Sequence, residues 1–111
     1  MRNALLTTQP YEVEKALRKV GENLRTARLR RNLTLETVAS RIGTGVRAVM
    51  DAEKGKASTG VATYAALLWI YDLLPAFEQL ADPLQDKEGT ALAARKENKR
   101  ASKGKGLDND F

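Results

Sequence analysis

The chain lacks two of the side chains on which catalytic sites and metal sites most often depend. Its 111 residues include no histidine and no cysteine, so the commonest general base near neutral pH and the usual ligands of zinc and redox sites are absent. Ser40, Ser58 and Ser102 have no histidine to activate them, and no group of carboxylates has the spacing of a metal site. We therefore expect a protein that is not an enzyme and that has no cofactor and no metal.

Basic side chains are the charged groups that the sequence supplies in excess. Nineteen lysines and arginines outnumber fourteen aspartates and glutamates, giving a net charge of +5 and a pI near 9.7. Residues 21–56 contain eight basic and four acidic side chains, residues 72–90 one and five, and residues 91–111 six and three. Such basic segments favour nucleic acid or an anionic membrane surface as partner. The alternative is a soluble protein that only carries a basic tail.

Apolar periodicity predicts an all-α chain. In the first third of the sequence, apolar residues recur at steps of three and four, as on one face of a helix. Gly21 interrupts this stripe, so the pattern fits either two helices or one helix with a weak point. We expect a core helix over residues 21–31, preceded by a looser helical extension and ending at Asn32 as its C-cap. A second helix begins after Thr34, its N-cap, and ends at Gly43, its left-handed C′ residue.

A very short turn separates this second helix from a third. Only Thr44 and Gly45 stand between Gly43 and the next apolar pattern, residues 46–54, in which Val49 and Ala52 face inward. So short a turn makes the two helices cross steeply, which defines a helix-turn-helix unit. The third helix also leaves side chains on a surface that the core does not need: Arg47, Met50, Asp51 and Lys54.

The fourth predicted helix, residues 61–74, contains a single charge, Asp72. A helix that is apolar on all sides must be covered on more than one side. We expect one side to close the core and another to form a dimer interface together with a short fifth helix that begins at Pro75. The interface residues would be Ala65, Trp69, Leu73 and Phe77. The alternative is that the fifth helix and the N-terminal extension cover this face within one chain.

The sequence loses its periodicity beyond Leu84. We expect residues 83–111 to form a flexible basic tail, helical at most over residues 90–99 when bound to a partner. The tail either keeps the protein soluble or docks on a partner through Leu107 and Phe111. The predicted organisation is thus an N-terminal extension at residues 1–19, a five-helix domain at residues 20–82, and this tail.

The N-terminal sequence and the overall hydropathy favour a cytoplasmic protein. No apolar run approaches the roughly 20 residues that a transmembrane helix requires. The first residues, MRNALLTTQPYEVEK, contain no apolar region typical of a secretory signal.

About half of the chain, residues 20–74, resembles the lambda-repressor-like, Cro-type (Xre family) helix-turn-helix domain. The resemblance lies in LRTAR of the first helix, NLT before the second, VASRIG, VRAVMDAEKGK and the apolar fourth helix, in that order. It implies a five-helix lambda-repressor-like domain that binds DNA. The sequence departs from the family in two places: Leu35 replaces a glutamine that often contacts phosphate, and Thr44 and Gly45 replace the usual valine and serine of the turn.

The resemblance also implies roles for individual residues of the third helix. Arg28 and Glu53 would form a structural ion pair between the first and third helices. Arg47 would contact base edges in the major groove, because a guanidinium can donate to both N7 and O6 of guanine. Asp51 would brace Arg47 or accept from a cytosine amine, unless the two form only a solvated pair. The full set of expected base contacts is Val46, Arg47, Met50 and Asp51, with Val46 and Met50 against thymine methyls.

Contacts to phosphate position a DNA-binding domain without conveying sequence. They are expected from the N-terminus of the second helix and from the region around the end of the third, with the basic tail, residues 95–105, adding non-specific affinity or entering a minor groove. The expected phosphate-contacting residues are Thr34, Arg41, Lys54, Lys56, Ser58 and Thr59.

The layout after the fourth helix is similar to that of HipB-type regulators encoded beside HipA-like kinases. This likeness implies a homodimer that binds a palindromic operator on double-stranded DNA, represses its own operon as an antitoxin, and holds a HipA-like kinase toxin. The alternative is a protein-interaction adaptor or coactivator with the same fold and no operator specificity. Salt dependence separates the two, because specific operator binding weakens steeply as salt rises.

Overall fold

The computed structural model describes the backbone of residues 9–108 and the side chains of residues 9–103. Over this range the regular structure is entirely helical, which confirms the all-α prediction. Contacts divide the chain into two compact units between Phe77 and Glu78. Within residues 9–108, no helix combines the length and apolar character that a membrane span requires. The elements are α1 (Tyr11–Arg30), α2 (Leu35–Ile42), α3 (Val46–Glu53), α4 (Val61–Ile70), α5 (Leu74–Glu78), a 3₁₀ turn (Pro83–Gln85) and α6 (Lys87–Asp108).

The core of the first unit lies where α1, α2, α3 and α4 meet. Each of these helices buries residues spaced three or four apart, or adjacent, on one side. Burial of a side chain as large as Leu67, which is fully covered, contributes roughly 1.5–3 kcal/mol. The buried apolar residues are Leu24, Ala27, Val38, Ala39, Val49, Ala52, Tyr64, Leu67 and Tyr71.

Gly21 does not divide α1, so the separation of a core helix from a looser extension is wrong. The helix runs without interruption from Tyr11 to Arg30. A Cβ atom at Gly21 would lie 2.5 Å from the carbonyl oxygen of Glu53 and 2.7 Å from that of Ala52. Glycine therefore lets α1 pass directly against the end of α3, and this close packing offsets its low helix propensity of about 1 kcal/mol relative to alanine.

Local hydrogen bonds set the ends of α1 and α2. Asn32 has a φ of 54° and Gly43 a φ of 74°, and each lies in the hydrogen-bonding pattern of a Schellman motif. At the start of α2, Thr34 Oγ1 accepts the Thr37 N–H at 3.1 Å. The predicted caps at Thr34 and Gly43 are thereby confirmed, whereas the C-cap of α1 is Arg31 and Asn32 is the left-handed residue that follows it.

The second unit contains a helix, α6, where the sequence predicts a flexible tail that is helical at most over residues 90–99 when bound to a partner. Asp86 Oδ1 accepts the Gly89 N–H at 2.9 Å, which caps the N-terminus of α6. The residues that follow are mostly alanine, lysine, arginine and glutamate, all strong helix formers. Every described side chain from Thr90 to Lys103 is exposed. Apolar periodicity detects helices that bury one face, so it does not detect a helix formed by propensity and capping.

Candidate nucleic-acid interface

The turn between α2 and α3 holds the two helices at a fixed crossing. Gly43 adopts the left-handed conformation and Gly45, with extended backbone angles, is the N-cap of α3. The inner side of α3 then packs into the core, where Val49 and Ala52 are fully buried. Because one side of α3 is anchored in this way, its outer side has a defined orientation.

A buried ion pair ties the end of α3 to α1. Arg28 Nε lies 2.7 Å from Glu53 Oε2, and its Nη2 donates to Glu53 Oε1 at 3.1 Å. Arg28 Nη1 also donates to the carbonyl of Leu33 at 3.0 Å. The hydrogen bond that Arg28 donates to the Glu53 carboxylate raises the pKa of Arg28 above its ordinary value. The structure thus brings together the pair that the resemblance implies, and both groups are occupied within the fold.

Arg47 lies on the outer side of the first turn of α3. Its side chain is exposed, and none of the described carboxylates lies within ion-pair distance of it. Val46 and Met50 flank it and are half-buried, since Val46 also packs partly against the core. The outer side of α3 therefore presents one free guanidinium beside two apolar side chains.

Asp51 does not brace Arg47, and that part of the prediction is wrong. Its Oδ1 lies 3.5 Å from Lys56 Nζ in an ion pair that lacks hydrogen-bond geometry. The chain reverses after α3, where the Lys56 N–H donates to the Asp51 carbonyl at 3.0 Å, and this turn brings the lysine to the aspartate. Asp51 is partly covered, with 21% of its side chain exposed, against 52% for Lys56.

The expected phosphate contacts differ in their availability. Two of the predicted threonines have hydroxyls that are not available to a phosphate. Thr34 Oγ1 caps α2 and donates to Thr37 Oγ1 at 2.9 Å. Thr59 Oγ1 is buried without a hydrogen-bond partner. Thr59 therefore cannot reach a phosphate in this conformation, because its oxygen faces the interior. Leu35, which replaces the family's glutamine, packs against the core. The residues that remain exposed for phosphate contacts are Arg41, Lys54, Lys56 and Ser58.

The four residues predicted for a dimer interface lie in α4, in α5 and in the segment between them. Trp69 is 63% exposed and Leu73 is 40% exposed, while Ala65 and Phe77 are half-buried. We call these four residues the Trp69 patch. Of the two proposed docking residues, Leu107 lies on the last turn of α6 with its side chain outside the described set, and Phe111 lies outside the described residues altogether.

Arg31 has a structural role that the sequence pattern did not predict. Its Nη1 donates to the carbonyl of Ala27 at 2.9 Å and its Nη2 to that of Tyr71 at 2.8 Å. The guanidinium carbon also lies 5.4 Å from the centroid of the Tyr71 ring, within cation–π distance. Burial raises the pKa of Tyr71 to about 12. The position of Arg31 just after α1 is a usable signal, because basic residues there often bond the last carbonyls of a helix.

The donor chemistry of the described residues suits anion contacts and offers no metal centre. Within residues 9–103, no group of three or more histidine, cysteine, aspartate or glutamate side chains is placed to hold a metal ion. None of the family models, curated proteins or solved structures with which the chain was compared matches it significantly. The functional inference therefore depends on the surface of α3 and on the charges around it.

Proposed function

We propose that this protein is a sequence-specific DNA-binding transcriptional repressor with a lambda-repressor-like helix-turn-helix domain. The observation that carries the proposal is the contrast between the two sides of α3. Its inner side is fixed by Val49, Ala52 and the Arg28–Glu53 pair. Its outer side presents Arg47, which is exposed and forms no ion pair with the described carboxylates. The major groove of DNA, about 12 Å wide, admits a helix presented in this way.

In the proposed complex, base contacts and phosphate contacts come from different residues. Arg47 donates to N7 and O6 of a guanine, and Val46 and Met50 lie against thymine methyls. Arg41 and Lys54 bind phosphates, as do the free N–H groups at the start of α2, which favour anions. Asp51 contributes mainly by holding Lys56, so this lysine adds less to the attraction of DNA than the others.

The Trp69 patch supports a homodimer. A large exposed tryptophan four positions before the exposed Leu73 is an anchor of the kind found at the centre of protein interfaces. A two-fold dimer would place two α3 helices on a palindromic operator. Sedimentation at micromolar concentration should therefore show a dimer that Trp69→Glu converts to a monomer. Leu84→Glu is the matched control, because Leu84 is exposed but lies outside the patch. A wild-type monomer, with and without DNA, would remove the dimer from the proposal.

The narrower proposal is that the repressor is an antitoxin that regulates its own operon and holds a HipA-like kinase toxin. It rests on the likeness of layout after α4 to HipB-type regulators. The product of the adjacent gene is the natural probe. We expect it to inhibit growth when expressed alone, to be neutralised by this protein, and to co-purify with it. An adjacent gene whose product neither binds this protein nor inhibits growth would remove the antitoxin role and leave the repressor proposal intact.

Selection from a randomised duplex library tests the DNA-binding proposal. We expect one sequence family to be enriched and Arg47→Ala to weaken binding to it by about 1–3 kcal/mol, with little change on unrelated duplexes. Arg47→Lys is the control for charge, because lysine keeps the positive charge but lacks the planar fork that bonds guanine twice. It should retain non-specific affinity and lose most of the discrimination. No enrichment of any sequence would favour the adaptor function instead.

A further inference from the structure

We propose that α6 is a second DNA-contacting element, whose basic face binds the phosphate backbone of duplex DNA without regard to sequence. The identity of the polyanion rests on the proposed function. The contact itself does not depend on α3 or on an operator, so it can be tested on DNA of arbitrary sequence. We define the α6 basic face as Arg95, Lys96, Lys99, Arg100 and Lys103.

The spacing of these five residues places them on one side of the helix. At 3.6 residues per turn, steps of one, three and four positions keep them within less than half of the circumference, and they extend over roughly 12 Å of the axis. The opposite side carries Ala94, Asn98 and Ala101, which are small or uncharged. Glu97, the single carboxylate in residues 89–103, lies outside the basic face. Within residues 94–103, one side of the helix is therefore cationic, and the rest of the circumference carries no cation and one carboxylate, Glu97.

Among the described residues, the cations of this face have no ion-pair partner. All five side chains are exposed, and no described carboxylate lies within ion-pair distance of any of them. Lys99 has a like charge four residues before it and another four residues after it, and such pairs destabilise a helix. In α1, by contrast, Glu14 and Arg18 pair at the same spacing. Helix stability therefore does not explain the arrangement, whereas a polyanion would neutralise it.

The composition of α6 favours phosphate over a membrane or a protein groove. Residues 87–103 contain no aromatic residue, and their one large apolar side chain, Leu92, is half exposed. A helix that lies in a membrane interface needs a broad apolar face, and docking in a protein groove needs apolar or aromatic anchors. A phosphate backbone requires only positive charge within reach.

Replacing the basic face by glutamine tests the proposal in the full-length chain. The variant combines R95Q, K96Q, K99Q, R100Q and K103Q, and glutamine maintains helix propensity, which circular dichroism verifies. We expect the slope of log affinity against log salt, measured on a duplex of arbitrary sequence, to fall by about 4 to 5, or about 0.9 for each phosphate that is no longer neutralised. Affinity should fall by the same factor on the selected operator. An unchanged slope would overturn the proposal.

A charge-relocation variant separates the face from net charge. Lys96→Ala and Lys103→Ala, combined with Ala94→Lys and Ala101→Lys, leave the composition unchanged and move two cations to the opposite side. We expect the salt slope to fall by about 2. Binding equal to wild type would show that net charge alone acts, and would overturn the assignment of a face. Tighter binding of the wild-type chain to phosphatidylserine vesicles than to duplex would also overturn it.

The same measurements distinguish this proposal from the repressor function. Arg47→Ala should reduce discrimination between sequences and keep the contribution of α6 to the salt slope. The five-glutamine variant should do the reverse, with full discrimination and a smaller slope. If the five-glutamine variant has the wild-type salt slope while Arg47→Ala reduces discrimination between sequences, only the inference about α6 is contradicted. If the five-glutamine variant has a smaller salt slope while Arg47→Ala leaves discrimination unchanged, only the function proposed for α3 is contradicted.

Discussion

The two compact units place their basic side chains by different means. In the first unit, tertiary contacts decide where each cation lies: Arg28 is buried against Glu53, Arg31 bonds two carbonyls, and Arg47 is left outside. In the second, the helical repeat of α6 alone aligns the cations, with no core beneath the described side chains. Changes in the first unit should therefore alter stability and orientation together, whereas changes in α6 should alter binding alone.

The largest expected effect is the loss of the buried pair in the first unit. Glu53→Ala leaves the Arg28 guanidinium, of which only 10% of the side chain is exposed, without its counter-charge. We expect a loss of about 3–5 kcal/mol in the free energy of unfolding, measured by urea denaturation. Glu14→Ala is the control, because it breaks the half-exposed pair with Arg18 and should cost well under about 1 kcal/mol. Similar losses for both variants would contradict the claim that the buried pair contributes more to stability than the exposed pair.

A smaller loss is expected where α1 passes α3. Gly21→Ala raises helix propensity by about 1 kcal/mol, yet its methyl group would meet the carbonyl oxygens of Ala52 and Glu53. We expect net destabilisation of about 2–3 kcal/mol, since overpacking against backbone forces the two helices apart. Gly60→Ala, at a position with open space, should change thermal stability far less. A more stable Gly21→Ala variant would mean that the two helices can separate without cost.

The buried tyrosine should make the first unit sensitive to alkali. The folded pKa of Tyr71, about 12, is above its ordinary value of 10.0, so the unfolded chain loses this proton first. The stability that the protonated Tyr71 side chain contributes is complete below about pH 10 and is lost as the pH rises toward about 12. The free energy of unfolding should fall by about 2–3 kcal/mol over this range. Tyr71→Phe should have near-wild-type stability at neutral pH, because the hydroxyl has no partner, and should lose less in alkali.

Urea denaturation between neutral pH and about pH 12 checks this difference. Tyr11→Phe, at an exposed ring, is the control and should follow the wild-type curve. Parallel curves for wild type and Tyr71→Phe would show that Tyr71 does not contribute to the alkaline loss.

The smallest effect on stability is expected in α6, which sharpens the contrast between the units. The five-glutamine variant removes no buried contact and relieves repulsion between like charges, so the free energy of unfolding of the first unit should change by less than about 0.5 kcal/mol. Thermal melting followed by the exposed Trp69 measures this. A large loss would show that the basic face supports the fold instead of serving as a free surface.

The sequence predicts those parts of the fold that local chemistry decides. Thr34 and Gly43 could be assigned as caps because each acts through hydrogen bonds to neighbours in the chain. The role of Gly21 could not be predicted, because the backbone against which it packs, that of Ala52 and Glu53 at the end of α3, is distant in the chain. The helix α6 could not be predicted from apolar periodicity, because its described side chains bury no apolar face.

The candidate interface shows the same division. The outward position of Arg47 follows from helical spacing once Val49 and Ala52 are assigned to the core. The ion pair between Asp51 and Lys56 could not be predicted from helical spacing, because a turn after α3 brings the lysine to the aspartate. The burial of the Thr59 hydroxyl likewise depends on how the loop before α4 packs, which no local pattern specifies.

The most direct test of the central claim is whether Arg47 bonds the major-groove edge of a guanine. Each guanine of the selected operator is replaced in turn by 7-deazaguanine, which lacks the N7 acceptor, and the affinities of wild type and Arg47→Ala are compared. We predict that one replacement weakens wild type by about 1 kcal/mol or more and leaves Arg47→Ala unaffected. Equal losses for both proteins at every guanine would contradict the claim that α3 contacts bases through Arg47.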